Sequence, residues 1–226
     1  LVKKFEGLAK ALEGVSLAPE ELQSLEELQQ YLVHGEGSWV LGDEFLAFIG
    51  QCRLLNDETL SEQVRVSTLR CLAACALRDD VSLLLHQDRR HHALLTYAHA
   101  LDARPLPEQR ALALCLCNLF ENVSSSEWLL YISEWDANGH PLSNIRVTTK
   151  VCVHCALSED EALRELGTAL MYNVATKEVK TVVGICALYY AYIIIYIPAA
   201  CGTCDMCTHE RRRPPTSVNL ITRGRV

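Results

Sequence analysis

Cysteine and histidine residues near the end of the sequence have the types and spacing of a metal site. The segment "CGTCDMCTHE" places Cys201, Cys204, Cys207 and His209 within a short stretch. Three thiolates and one imidazole are enough ligands for tetrahedral Zn²⁺. The segment lacks the second loop with which zinc fingers usually close their site. The four residues are therefore a candidate zinc site, with an accidental cluster as the alternative.

Thiols elsewhere could support nucleophilic catalysis if a histidine lay within hydrogen-bond reach. The segment "VCVHCAL" places His154 between Cys152 and Cys155. Adjacent residues of a helix point in different directions, so we expect two core cysteines and a half-buried histidine. The run "HQDRRHH" (86–92) is interpreted as the solvated end of one helix and the start of the next, with a zinc or acidic-partner site as the alternative.

Sequence signatures of enzymes are missing from the chain. It contains no glycine-rich phosphate loop, no HExxH and no GxSxG, which are the short patterns that carry phosphate, zinc-hydrolase and serine-hydrolase chemistry. We therefore expect no enzymatic activity and no cofactor.

Charge is distributed unevenly along the chain. Residues 1–180 contain 16 Lys and Arg against 26 Asp and Glu, a net charge of −10. Residues 181–226 carry five Arg against two acids, a net charge of +3. A general nucleic-acid binder needs a basic stripe to displace counterions from phosphate. The acidic body therefore argues against nucleic acid as the partner.

Most of the cysteines lie in apolar helical patterns, where cysteine acts as a small hydrophobic residue. These are Cys52, Cys71, Cys75, Cys115, Cys117, Cys152 and Cys155. This usage is typical of a reducing compartment, so we expect the chain in the cytosol or the nucleus. The sequence starts without Met and without a signal-peptide pattern, and we interpret it as a fragment of a longer protein.

Helices are the elements that would position these residues. The segment "APEELQSLEELQQYL" has Pro19 near its first helical position, acids in the first turn and leucines at helical spacing. Further helices are predicted over 42–55, 57–77, 106–123, 144–157 and 158–175. A capping box of Ser158 and Glu161 would open the last one. We expect residues 18–176 to be more than half helical, with no sheet. The expected core includes Leu114, Leu116, Leu119, Val151 and Leu170.

Three of these helices resemble one another. "VRVSTLRCLAACAL" and "IRVTTKVCVHCAL" share their opening and closing residues, and "QRALALCLCNLF" has the same build. Their arginines, Arg65, Arg110 and Arg146, are 45 and 36 residues apart, close to the HEAT and armadillo period of roughly 40–47 residues. We predict an all-α fold, an armadillo/HEAT-like α-solenoid of stacked helices with a concave surface. Similar amphipathicity of three unrelated helices is the alternative.

The segments "PEQRALALCLCNLFENVSSSEWLL", "SNIRVTTKVCVHCAL" and "LGTALMYNVATKEV" resemble the PUL domain, an armadillo-like helical module of ubiquitin-pathway proteins. The matching elements are a Leu/Ala-rich helix closing in "CNLFEN", the Asn-led helix "NIRVTTKV" and the helix "GTALMYNVA". The resemblance is good over about 106–180 and extends over 42–105. It implies a helical linker region over 1–41, a PUL-like armadillo domain over 42–183 and a divergent tail over 184–226.

The resemblance also implies a function in protein binding. PUL domains bind proteins, notably the acidic C-terminal tail of the AAA+ ATPase valosin-containing protein, and known members present a basic groove to it. The acidic body of this chain departs from that pattern. An acidic tail needs cations, and the candidates are Arg65, Arg110, Arg146 and Lys150. The alternative is that these cations are solvated or paired with nearby acids such as Glu62 and Glu108.

The segment "TVVGICALYYAYIIIYIPAA" (181–200) contains no charged residue, and three interpretations of it remain open. Twenty helical residues span roughly 30 Å, enough for a transmembrane helix. Against this, its tyrosines lie in the middle rather than at the interfaces, and Gly184 and Pro198 shorten the apolar run. A buried core helix is the second interpretation. The third is a divergent C-terminus, such as translated intron sequence, because composition changes abruptly where a further repeat is expected.

These observations predict a protein-binding module of the ubiquitin system that docks valosin-containing protein or a related AAA+ ATPase. One alternative is a membrane-anchored helical adaptor, with residues 181–200 as its transmembrane segment. Another is a non-catalytic fragment of a PPPDE-type, desumoylating-isopeptidase-like thiol peptidase, because PUL domains also follow such peptidases.

Overall fold

Helices make up most of the part of the chain that the computed structural model describes, which comprises residues 1–41, 44–51, 53–80, 88, 92–137 and 139–177. This content confirms the predicted helical class. Residues Leu1–Lys177 form one compact unit. A second unit spans Glu178–Val226 and lies outside the described residues, as do the apolar segment 181–200 and the candidate zinc ligands.

The described part of the chain contains nine α-helices. They are α1 (Val2–Ala11), α2 (Pro19–Gln29), α3 (Glu44–Leu46), α4 (Glu62–Cys75), α5 (Ala93–His99), α6 (Leu106–Leu119), α7 (Val123–Leu129), α8 (Asn144–Ala156) and α9 (Glu161–Thr176). Turns of π-helix over Gln30–His34 and Ala47–Gln51 extend α2 and α3, and 3₁₀ turns cover Ser38–Val40 and Leu101–Ala103.

Local capping explains where two of these helices begin. Pro19 occupies the first turn of α2 as predicted, and the Ala18 N–H donates to Glu21 Oε2 at 2.8 Å. The predicted Ser158 capping box of α9 is wrong. The N-cap is Asp160, whose Oδ1 accepts from the Leu163 N–H at 2.8 Å, while Ser158 lies ahead of the helix. Asp and Ser are comparable N-caps, so spacing alone did not separate them.

The longer helices pack as two neighbouring rows. In one row α1 lies beside α4, α4 beside α6, and α6 beside α9. In the other row the turn Ala47–Gln51 lies beside α5, and α5 beside α8, while α8 also packs against α9. The sequence match of α8 to α4 therefore does not correspond to equivalent places in the packing. The arginine that occupies the place of Arg65 in the first row is Arg164, the fourth residue of α9.

Asparagine side chains join successive helices of the first row. Asn118 Nδ2 near the end of α6 donates to the Ala73 carbonyl of α4 at 2.7 Å. Asn173 Nδ2 of α9 donates to the Cys117 carbonyl of α6 at 3.4 Å. Each amide satisfies a backbone acceptor of the preceding helix, so the polar side chain is accommodated between apolar helices.

The core runs along both rows. Four of the five residues predicted to be buried are confirmed, namely Leu116, Leu119, Val151 and Leu170. The fifth, Leu114, is only half-buried. It lies on the side of α6 that the neighbouring helices leave partly open.

A β-hairpin interrupts the helices, so the prediction of no sheet is wrong. Strand β1 (Glu134–Ala137) pairs antiparallel with β2 (His140–Ser143). The strands are joined by "NG", and Gly139 has a φ of 86°, the conformation that two-residue hairpin turns require. The Gly139 N–H donates to Asp136 Oδ1 at 3.1 Å. The Asn-Gly pair was the sequence signal for this turn.

Candidate functional site

Each of the four predicted partner-binding cations contacts a carboxylate of this chain. The ion pairs are Arg65 with Glu108, Arg110 with Asp160, Arg146 with Glu134 and Lys150 with Asp102. Pairing with nearby acids was the alternative that the sequence left open, and Glu108 is one of the two acids that it named. The four pairs differ in exposure, which separates their roles.

Arg65 belongs to a buried polar network rather than to the surface. Its Nε donates to Glu108 Oε1 at 2.6 Å, and its Nη1 donates to the Leu60 carbonyl at 2.9 Å. The Glu108 side chain is fully buried and also accepts from the Tyr97 hydroxyl. The Arg104 guanidinium covers the Tyr97 ring at 4.4 Å from its centroid. Arg65 therefore stabilises a buried carboxylate, with only 15% of its own side chain exposed.

The remaining cations lie on or near one exposed side of α8, which we term the α8 face. It consists of Arg146, Lys150 and His154, at successive helical intervals of four residues, together with Arg110 of α6. The side chain of Arg146 is 57% exposed and that of Lys150 is 36% exposed. Three basic groups thus follow a single helix along about two turns.

Acceptors on neighbouring elements hold the cations of α8 in place. Arg146 Nη1 lies 2.9 Å from Glu134 Oε1 of the hairpin. Lys150 Nζ lies 2.8 Å from Asp102 Oδ1 and also donates to the His99 carbonyl. These contacts connect α8 to the hairpin and to the end of α5.

His154 and Arg110 complete the α8 face through contacts with other helices. His154 Nε2 lies 2.9 Å from Gln109 Oε1 of α6. Arg110 Nε donates to Asp160 Oδ1 at 2.9 Å, and its Nη2 donates to the other carboxylate oxygen, so the pair is bidentate. Asp160 therefore both caps the N-terminus of α9 and connects α9 to Arg110 of α6.

Hydrogen bonding sets the charge states on this face. The bond from Lys150 holds the pKa of Asp102 below its ordinary value, and the bond from Arg110 does the same for the pKa of Asp160. Partial burial, with the Lys150 charge, lowers the pKa of His99. At neutral pH Asp102 and Asp160 are therefore ionised and His99 is neutral.

The described cysteines are buried in the core. Burial raises the pKa of the Cys71, Cys115, Cys152 and Cys155 thiols to about 12. A thiolate is the reactive form, so these groups are poor nucleophiles at neutral pH. His154, which the sequence placed between two of them, contacts Gln109 as described above and is half-buried as predicted.

Two other expectations concern residues outside the described part. Cys201, Cys204, Cys207 and His209 lie beyond residue 177, so their metal site remains a prediction. Within the described ranges no group of histidines, cysteines and carboxylates is arranged to hold a metal ion. None of the helices that the structure describes is long and apolar enough to cross a membrane.

Sequence reasoning missed the most exposed aromatic side chain among the described residues. Trp39 lies in a 3₁₀ turn after α2 and is 81% exposed. The signal was available as "GEGSWV", where a tryptophan stands among turn-forming residues rather than in an apolar helical pattern.

Comparison of the chain with models of known protein families, with curated proteins and with solved structures finds no match.

Proposed function

We propose that this chain is a protein-binding module, a short α-solenoid that docks an acidic segment of a partner on its α8 face. The observation that carries the proposal is the row of the exposed Arg146, the partly exposed Lys150 and the half-buried His154 along one side of α8. The resemblance to PUL domains suggests the class of partner, the acidic tail of a valosin-containing-protein-type AAA+ ATPase. The cysteine usage supports action in the cytosol or the nucleus.

Two rows of helices support the solenoid part of this proposal. In an α-solenoid each helix packs between equivalent helices of the neighbouring repeats. Here α4 lies between α1 and α6, and α6 lies between α4 and α9, with asparagine bonds at successive interfaces. The hydrogen bond from Tyr97 to Glu108 joins α5 to α6, and α8 packs against α9, so α5 with α6 and α8 with α9 would be two consecutive repeats.

Exchange of partners on the α8 face has a small energetic cost. Exposed ion pairs contribute about 0–1 kcal/mol, so a partner's carboxylates can replace Glu134 or Asp102 with little loss. A segment bearing several carboxylates would also gain from contacting successive cations at once. Arg65 is excluded from this role because its removal from Glu108 would leave a buried carboxylate uncompensated.

Calorimetry with an acidic ATPase tail peptide tests the proposal on the full chain. The double variant Arg146→Glu, Lys150→Glu should abolish the binding heat while leaving the melting temperature nearly unchanged. The matched control is Arg70→Glu, an exposed arginine of α4 away from the face. Affinity should fall as salt increases, because the contact is largely electrostatic. Unchanged affinity in the double variant, or no heat with the native chain, would overturn the proposal.

A further inference from the structure

A polar clamp holds the loop that follows α2 in one conformation. Arg78 Nη1 donates to the Tyr31 carbonyl at 2.6 Å, and its Nη2 donates to the Glu36 carbonyl at 2.8 Å. The Arg78 guanidinium also lies over the Tyr31 ring, 4.2 Å from its centroid. Asp80 accepts from the Tyr31 hydroxyl and from the Ser38 N–H, both at 2.6 Å. Residues 31–38 are thus attached to the end of α4 by both side chains.

The clamp presents Trp39 to solvent on this ordered loop. The side chain directly follows the clamped Ser38 and is 81% exposed. Its ring lies over Gly37, where a methyl group would overlap the ring carbon Cζ3. An exposed tryptophan on a rigid backbone is a costly arrangement in water, because a large apolar surface remains hydrated. Tryptophan is also the residue most enriched at the centres of protein interfaces.

An open groove follows one side of α2 and reaches Val40, the residue directly after Trp39. Its volume is about 690 Å³, and its lining is Pro19, Leu22, Gln23, Glu26, Glu27, Gln30 and Val40. The lining positions of α2 recur at helical spacing over about three turns, so the groove follows the helix axis. Leu22, at 53% exposed, supplies apolar surface in its first half. Val40, the chain neighbour of Trp39, supplies apolar surface on the other wall.

The charged residues that line this groove, Glu26 and Glu27, are both acidic. Residues 19–36 contain five Glu and no Lys or Arg. Arg53 contacts Glu21 at 3.4 Å. Among the described residues Glu26 forms no ion pair, and its side chain is exposed. A cation entering the groove would therefore find the carboxylates of Glu26 and Glu27 on α2, and the exposed Trp39, directly before the lining residue Val40, offers an indole, the best aromatic acceptor for a cation.

We propose that Trp39 and this groove form a docking surface for a Lys/Arg-rich amphipathic helix of a partner protein. An amphipathic helix laid in a groove is a recurrent recognition mode, and three turns of lining match its repeat. Its apolar side chains would contact Leu22 and Val40, while its cations would contact Glu26 and the Trp39 ring. This surface is separate from the α8 face. It takes a basic partner segment, whereas the α8 face takes an acidic one.

The test uses the full chain and a synthetic amphipathic peptide of about 12 residues, three helical turns, with Lys and Arg on one side and Leu on the other. The peptide should shift the tryptophan emission to shorter wavelength and protect it from acrylamide. Trp39 should dominate both changes, because Trp128 is buried at 6% exposed and the half-buried Trp135 is stacked on the His92 ring. Trp39→Ala should weaken binding at least tenfold without changing the melting temperature.

Gly37→Ala is the second variant, since it retains the tryptophan but displaces its ring from the backbone below. It should also weaken binding, because the ring position is what the loop provides. Glu26→Lys should abolish binding by reversing the local charge. The matched control is Leu157→Ala, which removes another exposed apolar side chain, 61% exposed, after α8, and should leave the affinity unchanged.

Three outcomes would overturn the proposal. The first is equal affinity of the peptide for the native chain and for Trp39→Ala. The second is equal affinity for a scrambled peptide of the same composition, which would show that binding does not depend on an amphipathic helix. The third is a concentration-dependent dimer that Trp39→Ala dissociates while the peptide fails to bind, since a second copy of this chain would then be the occupant. An acidic tail peptide serves as a further control, and its affinity should be the same for the native chain and for all of these variants.

Discussion

Glu108 is an acidic residue that the fold buries completely, at the first turn of α6. Its carboxylate contacts Arg65 of α4 and Tyr97 of α5, so one side chain joins both rows of helices. Burial, followed by the bond to Glu108, raises the pKa of the Tyr97 hydroxyl, which therefore stays protonated and donates. Removing any one of these three side chains leaves a hydrogen-bonding group of another without its partner, so the network is stable only when all three are present.

Replacing Glu108 with Ala should destabilise the fold by about 3 kcal/mol, since Arg65 loses its buried partner and Tyr97 loses its acceptor. Urea denaturation followed by circular dichroism measures this change. The control Glu121→Ala removes an exposed carboxylate just after the same helix and should change stability by less than about 0.5 kcal/mol. Similar values for both variants would refute the structural role of the network.

Asp88 should make stability depend on pH. It is 1% exposed, and burial raises its pKa to about 6 even though its carboxylate accepts from the Ala93 N–H at 2.7 Å. Because the folded pKa lies above the unfolded one, the folded state holds the proton more tightly. The resulting stability is fully present below about pH 4. It declines as pH rises towards 6 and is constant above that.

The variant Asp88→Asn should remove this decline, which amounts to at most about 3 kcal/mol for a shift of roughly two pKa units. Denaturation curves at pH 4.5 and pH 7.5 would show a larger loss of stability with rising pH in the native chain than in the variant. Asp79→Asn, at an exposed position, should reproduce the native profile. Parallel pH profiles for the native chain and Asp88→Asn would contradict the assignment.

At the scale of elements, the contact between α8 and α9 depends on a glycine. A methyl group at Gly167 would overlap the Ala156 backbone nitrogen and the Cys155 carbonyl carbon. The overlap is with backbone, so no side-chain rotation relieves it. The Cys152 thiol also approaches the Gly167 carbonyl at 3.8 Å, which places the two helices in close contact there.

Gly167→Ala should therefore destabilise the protein by about 1–3 kcal/mol, although alanine is the better helix former. The control is Gly7→Ala in α1, where nothing lies near the added methyl group. This substitution should raise stability by up to about 1 kcal/mol through helix propensity. Thermal melting of the two variants should give shifts of opposite sign, and shifts of equal sign would refute the close approach.

At the scale of the whole molecule, the unit Leu1–Lys177 contains its own core, from Phe5 of α1 to Val174 of α9. A chain ended at Lys177 should therefore fold and melt cooperatively, with a melting temperature close to that of the full chain. Differential scanning calorimetry of both chains measures this. A truncated chain without a cooperative transition would contradict the prediction.

Flotation of the same two chains with liposomes tests the anchor interpretation of 181–200, which predicts that only the full chain floats.

The sequence by itself determined the helices of this protein. Proline and acids at helix starts, apolar residues at helical spacing and cysteines used as hydrophobic residues are local signals, and local hydrogen bonding and side-chain burial follow from them. They identified α2, α6, α8 and α9 within a few residues. The hairpin also has a local signal, "NG". That signal was not used to predict it, because helices were predicted on both sides, over 106–123 and 144–157.

Tertiary structure alone decided which residues act together. The sequence aligned Arg65 with Arg146, but packing placed α4 and α8 in different rows and paired Arg65 with the buried Glu108. It also fixed the loop that presents Trp39, because Arg78 donates to the Glu36 carbonyl and Asp80 accepts from the Ser38 N–H, about 40 residues along the chain. Such partners are distant in sequence, and their choice depends on the packing of whole helices rather than on any local pattern.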